Sequence, residues 1–472
     1  MIISRRGFLK FMGLGSVALA VTGKVSAADI DYKATKPNIL LIIADDMTWS
    51  DAGCYGNPDV KTPNIDKLAS QGMRFTRCFT STAMCAPTRQ QLYTGLYPVQ
   101  NGAYPNHSWV KAGTKSIVHY LKDNGYRVGL VGKKHFGPRE SFPFENVAGN
   151  PDKYEIIKEF INRDKSQPYC LVVASEQPHA PWTKGRAEDY DPEKLSVPPY
   201  MVDTPETREG LTSYYAEITF LDSQIGKCME LVDQSGNAGN SLFIFTSEQG
   251  SLYPHCKWTL YDMGIRVGFI ARWPKKIKAG SVSEAMVQYV DVTPTLIEAA
   301  GGEAIANLDG FSFLPVLMGK KNRHRDVTYG VHTTRGIIAG SKCYPIRSIR
   351  TATHKYIMNL NHKSRFRNII TEKDRSGIWK SWVEKAKTDS TAAKRVEMYM
   401  HRPAEELYDI EKDPYELNNL DSDPQYRSLM DSLKKRLLAW MDQQGDKGIE
   451  TEMLAFERQG RRKSPATGKK NR

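Results

Sequence analysis

Residues 38–47 read NILLIIADDM, an uninterrupted apolar run that ends at two adjacent carboxylates, Asp45 and Asp46. A continuous apolar run, unlike an alternating one, predicts a β-strand that is covered on both faces. Three later segments have the same form and also end in polar clusters: 126–137 (YRVGLVGKKHFG), 169–182 (YCLVVASEQPHAPW) and 241–250 (SLFIFTSEQG). Helical stretches separate them, so we predict an α/β fold with a large, mostly parallel sheet sandwiched by helices. The polar clusters should then meet at the carboxyl edge of that sheet.

The pattern changes near residue 344. Short strand-like segments at 344–360 and 406–420 precede an amphipathic stretch at 426–445, which predicts a smaller antiparallel sheet with a terminal helix. A chain of 472 residues also exceeds the size of one hydrophobic core, about 250–300 residues. We predict an export signal at 1–27, a main domain at 28–343, a C-terminal subdomain at 344–457 and a basic, disordered tail at 458–472.

The N-terminus is typical of an export signal. Arg5 and Arg6 precede a modest apolar run at 11–21 that is too short to span a bilayer. This pattern predicts recognition by the twin-arginine translocase, a periplasmic or secreted product and no stable membrane insertion.

The net charge of +13 is largely terminal, since four basic residues precede residue 28 and seven follow residue 457. The remainder carries about +2 and has no recognisable nucleic-acid-binding motif, so we expect no nucleic acid partner.

Residues 85–95, CAPTRQQLYTG, place Pro87 and Arg89 at fixed offsets from Cys85. Neither a buried structural thiol nor a disulfide requires those offsets. The seven cysteines form no C-x-x-C pair, which argues against a zinc ribbon or a thioredoxin-type site. The pairing of the other six cysteines stays open.

The strand-end clusters contain residues suited to a metal and an anion. Asp45, Asp46, Glu248 and Gln249 offer oxygen ligands, which favour a hard divalent cation over zinc. The same clusters contain four candidate bases and cations: Lys133, His135, His179 and Lys257. Each of them alone is compatible with an ordinary packed or solvated residue, and only their joint placement at one edge of the sheet indicates a site.

The segment at 85–95 resembles the signature of type I sulfatases in the alkaline phosphatase superfamily. Further blocks resemble that family in the expected order, among them 37–46, 62–75, 178–182, 257–274 and 290–301. The resemblance implies an alkaline-phosphatase-like fold and sulfuric ester hydrolysis. In this family the signature cysteine is oxidised to Cα-formylglycine by a generating enzyme that reads the motif containing Pro87 and Arg89. This step needs unfolded chain, and so it should precede the export of the folded protein.

The resemblance also assigns roles. One hydroxyl of the formylglycine hydrate attacks sulfur, and the second allows sulfate to be expelled with return of the aldehyde. The implied metal ligands are Asp45, Asp46, Glu248, Gln249 and modified Cys85. The implied ion is Ca²⁺, which is favoured over Mg²⁺ or Mn²⁺. Arg89 would hold one hydroxyl of the formylglycine hydrate, and His135 would deprotonate the second hydroxyl. Three residues would contact the sulfate group: Lys133, His179 and Lys257. Of these, His179 would be the acid that protonates the leaving alcohol.

One departure from the family pattern concerns the metal. Members commonly have Asp-Asn or Asp-His where this chain has Glu248 and Gln249, each one methylene longer. The identity and affinity of the ion are therefore open.

The expected substrate is sulfated carbohydrate, such as glycosaminoglycan or algal polysaccharide fragments, with O-sulfate favoured over N-sulfate. One alternative is a phosphomonoester, phosphodiester or phosphonate hydrolase of the same superfamily. A second is a non-catalytic glycan-binding protein, if Cys85 is never oxidised.

Overall fold

The computed structural model describes residues 36–459. The predicted export signal at 1–27 and residues 460–472 of the predicted tail lie outside this range. Nine strands form the larger sheet: β1 (Asn38–Ala44), β2 (Met73–Phe79), β3 (Arg127–Gly132), β4 (Glu145–Ala148), β5 (Tyr169–Ala174), β6 (Ser241–Ser247), β7 (Arg266–Arg272), β8 (Ser281–Ser283) and β9 (Val287–Gln288).

Strand β1 lies in the middle of this sheet. The order is β4-β3-β5-β1-β6-β7-β2-β8, with β9 beside β2, and β7 is the strand that runs antiparallel to both of its neighbours. Alternate residues of β1 enter two different cores: Leu40 and Ile42 pack on one face, and Ile39, Leu41 and Ile43 on the other. Both faces of the strand are therefore covered, which explains its uninterrupted apolar run.

Helices cover both faces of the sheet and continue through the C-terminal region. The longest is α6, with its N-terminus capped by the Thr204 side chain, which accepts a hydrogen bond from the Thr207 amide. The helices are α1 (Pro63–Gln71), α2 (Cys85–Thr94), α3 (Pro98–Asn101), α4 (Ile117–Asp123), α5 (Tyr154–Asn162), α6 (Pro205–Gln234), α7 (Asp262–Ile265), α8 (Val292–Ala299), α9 (Leu314–Leu317), α10 (Ile369–Lys373), α11 (Ile378–Lys385), α12 (Ser390–Met400), α13 (Arg427–Gln443), α14 (Ile449–Met453) and α15 (Ala455–Arg458).

A second sheet of four antiparallel strands completes the fold: β10 (Thr328–His332), β11 (Ile346–Arg350), β12 (His354–Asn359) and β13 (Glu405–Asp409). Helix α13 packs on it through Leu433, Leu437 and Trp440. The predicted fold class is confirmed. Strand β10 of this second sheet lies before residue 344, so the sheet includes residues on both sides of the domain boundary that we place there. The boundary itself stays a prediction.

Two absences can be stated for residues 36–459. No helix among them is long and apolar enough to cross a membrane. All seven cysteines lie in this range, and each is a free thiol.

A buried charge network joins the two sheets. Asp262 begins α7 and accepts hydrogen bonds from Arg350 of β11 at 2.9 and 3.1 Å. Lys355 of β12 lies 2.5 Å from the same carboxylate and 3.0 Å from Glu416. Burial opposes ionisation of Asp262, but Arg350 and Lys355 outweigh it and lower the pKa of its carboxyl. These four groups are almost completely excluded from solvent, so each charge depends on the others.

We expect buried His332 to make the protein acid-sensitive. Burial, with Arg402 and Arg347 nearby, lowers its pKa from 6.5 to about 3, and neither ring nitrogen has a hydrogen-bond partner within residues 36–459. Between those pH values the unfolded chain binds a proton that the folded chain excludes, so stability falls as pH falls. His332→Leu should reduce the stability loss between pH 7 and pH 5 by about 2 kcal/mol in urea titrations. Exposed His362→Leu is the control, and an equal effect of both changes would refute this assignment.

Candidate active site

The polar ends of three neighbouring strands meet at one edge of the larger sheet. The Asp45 amide, just past β1, donates to the Gln177 carbonyl beyond β5 at 2.9 Å. The Glu248 amide, just past β6, donates to the Ala44 carbonyl at 3.0 Å. Because β5 and β6 run parallel to β1 on either side, their polar clusters are brought together at its carboxyl end.

Helix α2 begins at Cys85 and points its first turn into this edge. The Cys85 thiol lies 3.2 Å from the Lys257 ammonium and 3.4 Å from the Gln249 amide nitrogen. Arg89 follows one turn later on the same face, and its Nε lies 2.5 Å from a Glu248 carboxylate oxygen. Burial, and next Glu248, raise the pKa of the Cys85 thiol to about 12. An unmodified thiol here is protonated at neutral pH, which makes it a weak nucleophile.

Three carboxylates and three cations form one buried network around Cys85. Burial raises the pKa of Asp45, whereas Arg89 and Lys133 outweigh burial at Glu248 and lower the pKa of that carboxyl. The contacts are Lys257 Nζ to both Asp46 carboxylate oxygens at 2.6 Å, Lys133 Nζ to Asp45, Lys133 Nζ to Glu248 at 3.7 Å and Arg89 Nη2 to Asp45 at 3.8 Å. The residues named by sequence reasoning are thus brought together, and their formal charges balance.

The residues present fit a divalent cation. Asp45, Asp46, Cys85 and Glu248 place possible ligand atoms within 4.8 Å of one another. Asp45 Oδ1 and Gln249 Oε1 are buried without a hydrogen-bond partner in residues 36–459. The Gln249 amide nitrogen donates to Asp46 and Glu248 at 2.6 and 3.0 Å, and rotation of the amide would present its oxygen instead. Orphaned oxygens in a carboxylate cluster are the donor set that hard cations require.

Sequence reasoning missed His107. Its Nδ1 lies 2.9 Å from His135 Nε2, and both residues have positive φ angles, 58° and 50°. Burial and then Lys133 lower the pKa of His135 to about 2, so its imidazole is neutral at physiological pH. No motif spacing marks His107, because it reaches the site from a loop whose path depends on tertiary packing.

His179 occupies the open side of the site. Its Nδ1 donates to the Ala180 carbonyl at 2.6 Å, which leaves Nε2 facing Asp46 at 3.6 Å. The side chain is 40 % exposed, whereas that of Lys257 is 2 % exposed. Of these two groups, His179 is the more accessible to an approaching ligand.

A cavity of about 390 Å³ lies beside His179, with walls from the loop after β5 and from α10 and α11. Trp182, Ile378 and Trp379 supply apolar surface. Tyr253 is fully buried and stacks on Trp182 with ring centres 5.4 Å apart. Tyr253 therefore supports the wall of the cavity, and Trp182 forms part of its surface.

A buried carboxylate cluster with matching cations, at the carboxyl edge of a largely parallel sheet, is typical of enzymes that act on anionic esters. The Sulfatase family model matches residues 37–302, and a model of the N-sulphoglucosamine sulphohydrolase C-terminal region matches residues 253–392. The chain belongs to the sulfatase family, and it is a hydrolase of sulfate esters.

Relatives extend this likeness over most of the chain. An ulvan-active sulfatase of Formosa agariphila is 35% identical over 425 residues, which cover 87% of this chain and 81% of that protein. Human N-sulphoglucosamine sulphohydrolase is 28% identical, with 86% and 90% covered. A solved structure in complex with its substrate, D-glucosamine-2-N,6-O-disulfate, has a TM-score of 0.68 at 22% identity and covers 88% of this chain and 99% of that one. That structural likeness supports the fold.

Proposed function

We propose that this sulfatase removes sulfate from sulfated carbohydrate. Cys85 is converted to formylglycine, and the carboxylate cluster binds a divalent cation, for which Ca²⁺ is the leading candidate. The observation that carries the proposal is the position of Cys85 at the start of α2, with its sulfur beside Lys257 and Gln249. Two relatives whose names specify ulvan or N-sulphoglucosamine support a carbohydrate substrate.

The cation would be held by Asp45, Asp46, Glu248, Gln249 and modified Cys85, and it would supply Lewis acidity toward the sulfuryl oxygens. The hydrated aldehyde would supply a nucleophilic hydroxyl and a second hydroxyl that permits release of sulfate. Lys133 and Lys257 stabilise charge that develops on the sulfuryl group, because both are held at the cluster by carboxylates.

The protein groups divide the proton transfers between two sides of the site. His135 lies on the inner side, with its ring fixed by His107, and accepts the proton of the second hydroxyl. His179 lies on the open side and donates a proton to the departing alcohol. Arg89 is ion-paired with Glu248 one turn above Cys85, where it can hold the formylglycine hydroxyl.

Charge balance explains why the site would attract a sulfate ester. The three carboxylates and three cations cancel, so a bound divalent cation leaves a formal charge of about +2 in a water-poor site. A sulfate monoester carries one negative charge and is therefore attracted to this positive site. The apolar cavity beside His179 is positioned to receive the sugar that carries it.

Release of sulfate tests this function. Protein produced with a formylglycine-generating enzyme should liberate sulfate from glycosaminoglycan or algal polysaccharide fragments, which ion chromatography measures. Hydrolysis of phosphonate or phosphate esters with no release of sulfate would favour the other chemistry of the superfamily.

We expect His179→Ala to act mainly on substrates with poor leaving groups. Loss of the acid should lower kcat for a sugar sulfate by about 10²- to 10⁴-fold. Nitrophenyl sulfate should lose much less, since nitrophenolate leaves without a proton. Exposed His362→Ala is the matched control. Equal losses on both substrates would contradict the role of His179 as the acid.

We expect Ca²⁺ to stabilise the folded protein through Glu248. In Cys85→Ala protein freed of cations by a chelator, added Ca²⁺ should raise Tm, because a ligand that binds the folded state stabilises it. Glu248→Ala should increase the Ca²⁺ concentration for the half-maximal shift by about tenfold or more. Exposed Glu176→Ala at the same sheet edge is the control. A larger Tm shift with Mg²⁺ or Mn²⁺ would correct the identity of the ion.

We further propose that Cys85 is oxidised in the cytoplasm by a formylglycine-generating enzyme and that the twin-arginine translocase exports the folded product to the periplasm or beyond. Arg5 and Arg6 of the export signal and the motif at 85–89 support this order. Detection of formylglycine in protein retained in the cytoplasm by Arg5→Lys and Arg6→Lys would test it.

A further inference from the structure

Two neighbouring cavities with shared lining residues lie on the His107 side of the site. One of about 510 Å³ is lined by His107, Arg335, residues 336–338 and residues 340–342, with Phe456 and Gln459. One of about 870 Å³ is lined by residues 339–343, Asn361, residues 364–365, Arg367 and residues 372–373. They share Gly340, Ser341 and Lys342. We call the combined lining of these two cavities the basic furrow.

The basic furrow concentrates positive charge. Its lining contains five cationic side chains and one acidic side chain, Glu372, whose carboxylate lies 3.7 Å from Arg365. The five are Arg335, Lys342, Arg365, Arg367 and Lys373. The chain between the predicted signal and tail carries only about +2, so this cluster is a local feature rather than a share of a generally basic surface.

Most of these charges are available to a ligand. Lys342, Arg367 and Lys373 are exposed, and their side chains make no hydrogen bond or ion pair within residues 36–459. Arg335 is half-buried over the exposed Phe456 ring at 4.3 Å. Like charges gathered in a concave surface raise the local potential for an anion.

Two parts of the furrow lining are connected to residues of the active site. His107 lines it and contacts His135 at 2.9 Å. At the other end Lys373 is followed by Asp374 and Arg375, which line the 390 Å³ cavity beside His179. The Asp374 carboxylate accepts hydrogen bonds from the Trp379 and Lys380 amides and forms no ion pair within residues 36–459.

We propose that the basic furrow binds the anionic glycan chain beyond the sugar whose sulfate is removed. The ligand would carry further sulfate or carboxylate groups along its length, spaced so that several meet the five cations at once. This inference rests on the proposed function for the nature of the sugar, and it makes the enzyme selective for oligomeric, multiply charged substrates over isolated sulfated monosaccharides.

The test measures binding separately from turnover. Full-length Cys85→Ala protein is titrated with heparin oligosaccharides by calorimetry, with and without the triple change Lys342→Glu, Arg367→Glu and Lys373→Glu. The matched control is Lys67→Glu, Lys165→Glu and Lys278→Glu, which alters the net charge equally at exposed sites elsewhere. We expect about tenfold weaker binding or more for the furrow variant and less than about twofold for the control. The basic tail is retained in every protein.

Three outcomes would overturn the inference. The first is an equal weakening of heparin binding by the two triple variants, and the second is no weakening by either. The third is binding of poly-glutamate that the furrow variant weakens as much as it weakens heparin binding, which would make the furrow a general anion surface. In the active enzyme, the furrow variant should raise KM for the oligosaccharide and leave kcat for nitrophenyl sulfate unchanged. Failure of the proposed function would appear separately, as no sulfate release from any sulfated glycan.

Discussion

Replacing Cys85 with alanine is expected to lower kcat for sulfate release by at least about 10⁴-fold, the scale on which removal of a catalytic nucleophile acts. Alanine cannot be converted to the aldehyde, and no other described cysteine lies in the carboxylate cluster. The fold should persist, since the change removes one sulfur atom. Sulfate release followed by ion chromatography, with Tm as the check on folding, measures both effects.

Cys228→Ala is the matched control for this prediction. Cys228 is a buried free thiol on α6, outside the cluster, and its loss should leave kcat within about twofold. Equal activity of Cys85→Ala and Cys228→Ala would remove the nucleophile from the proposed mechanism and favour the alternative of a non-catalytic glycan-binding protein.

Replacing Asp262 with asparagine is expected to cost about 3–5 kcal/mol of unfolding free energy. The side chains have nearly the same shape, so the loss reports charge rather than a cavity. Arg350 and Lys355 would stay buried with Glu416 as their remaining carboxylate, and burial raises the pKa of Glu416 to about 7. Urea unfolding at neutral pH measures the change.

The exposed ion pair between Asp203 and Arg208 provides the control for Asp262. Asp203→Asn should cost less than about 1 kcal/mol, because solvent screens this pair. A loss of similar size in both variants would show that the buried network does not hold α7 to the second sheet.

The sequence was sufficient to predict the central strands and the class of the fold. The continuous apolar runs predicted β1, β3, β5 and β6, and parallel pairing then placed their polar ends at one edge. The structure brings the ten named site residues together there, while their catalytic and ligand roles stay predictions. Local pattern was informative because each run is short, buried on both faces and followed at once by polar residues.

Other features depended on tertiary structure that local pattern does not encode. His107 reaches His135 through a left-handed backbone position. Helices α10 and α11 lie between the predicted segments 344–360 and 406–420, and they form walls of the cavity beside His179. The basic furrow combines residues 335–343 with 361–373, so its charge density arises only after folding.

The most direct test of the account is the mass of the tryptic peptide at 78–89 from protein produced with a formylglycine-generating enzyme. This peptide also contains Cys78, so fragment ions must locate the change. We predict that residue 85 has lost sulfur and two hydrogens and gained one oxygen as the aldehyde, with one further water in the hydrate, while Cys78 is unchanged. An intact Cys85 thiol in protein that releases sulfate would contradict the account.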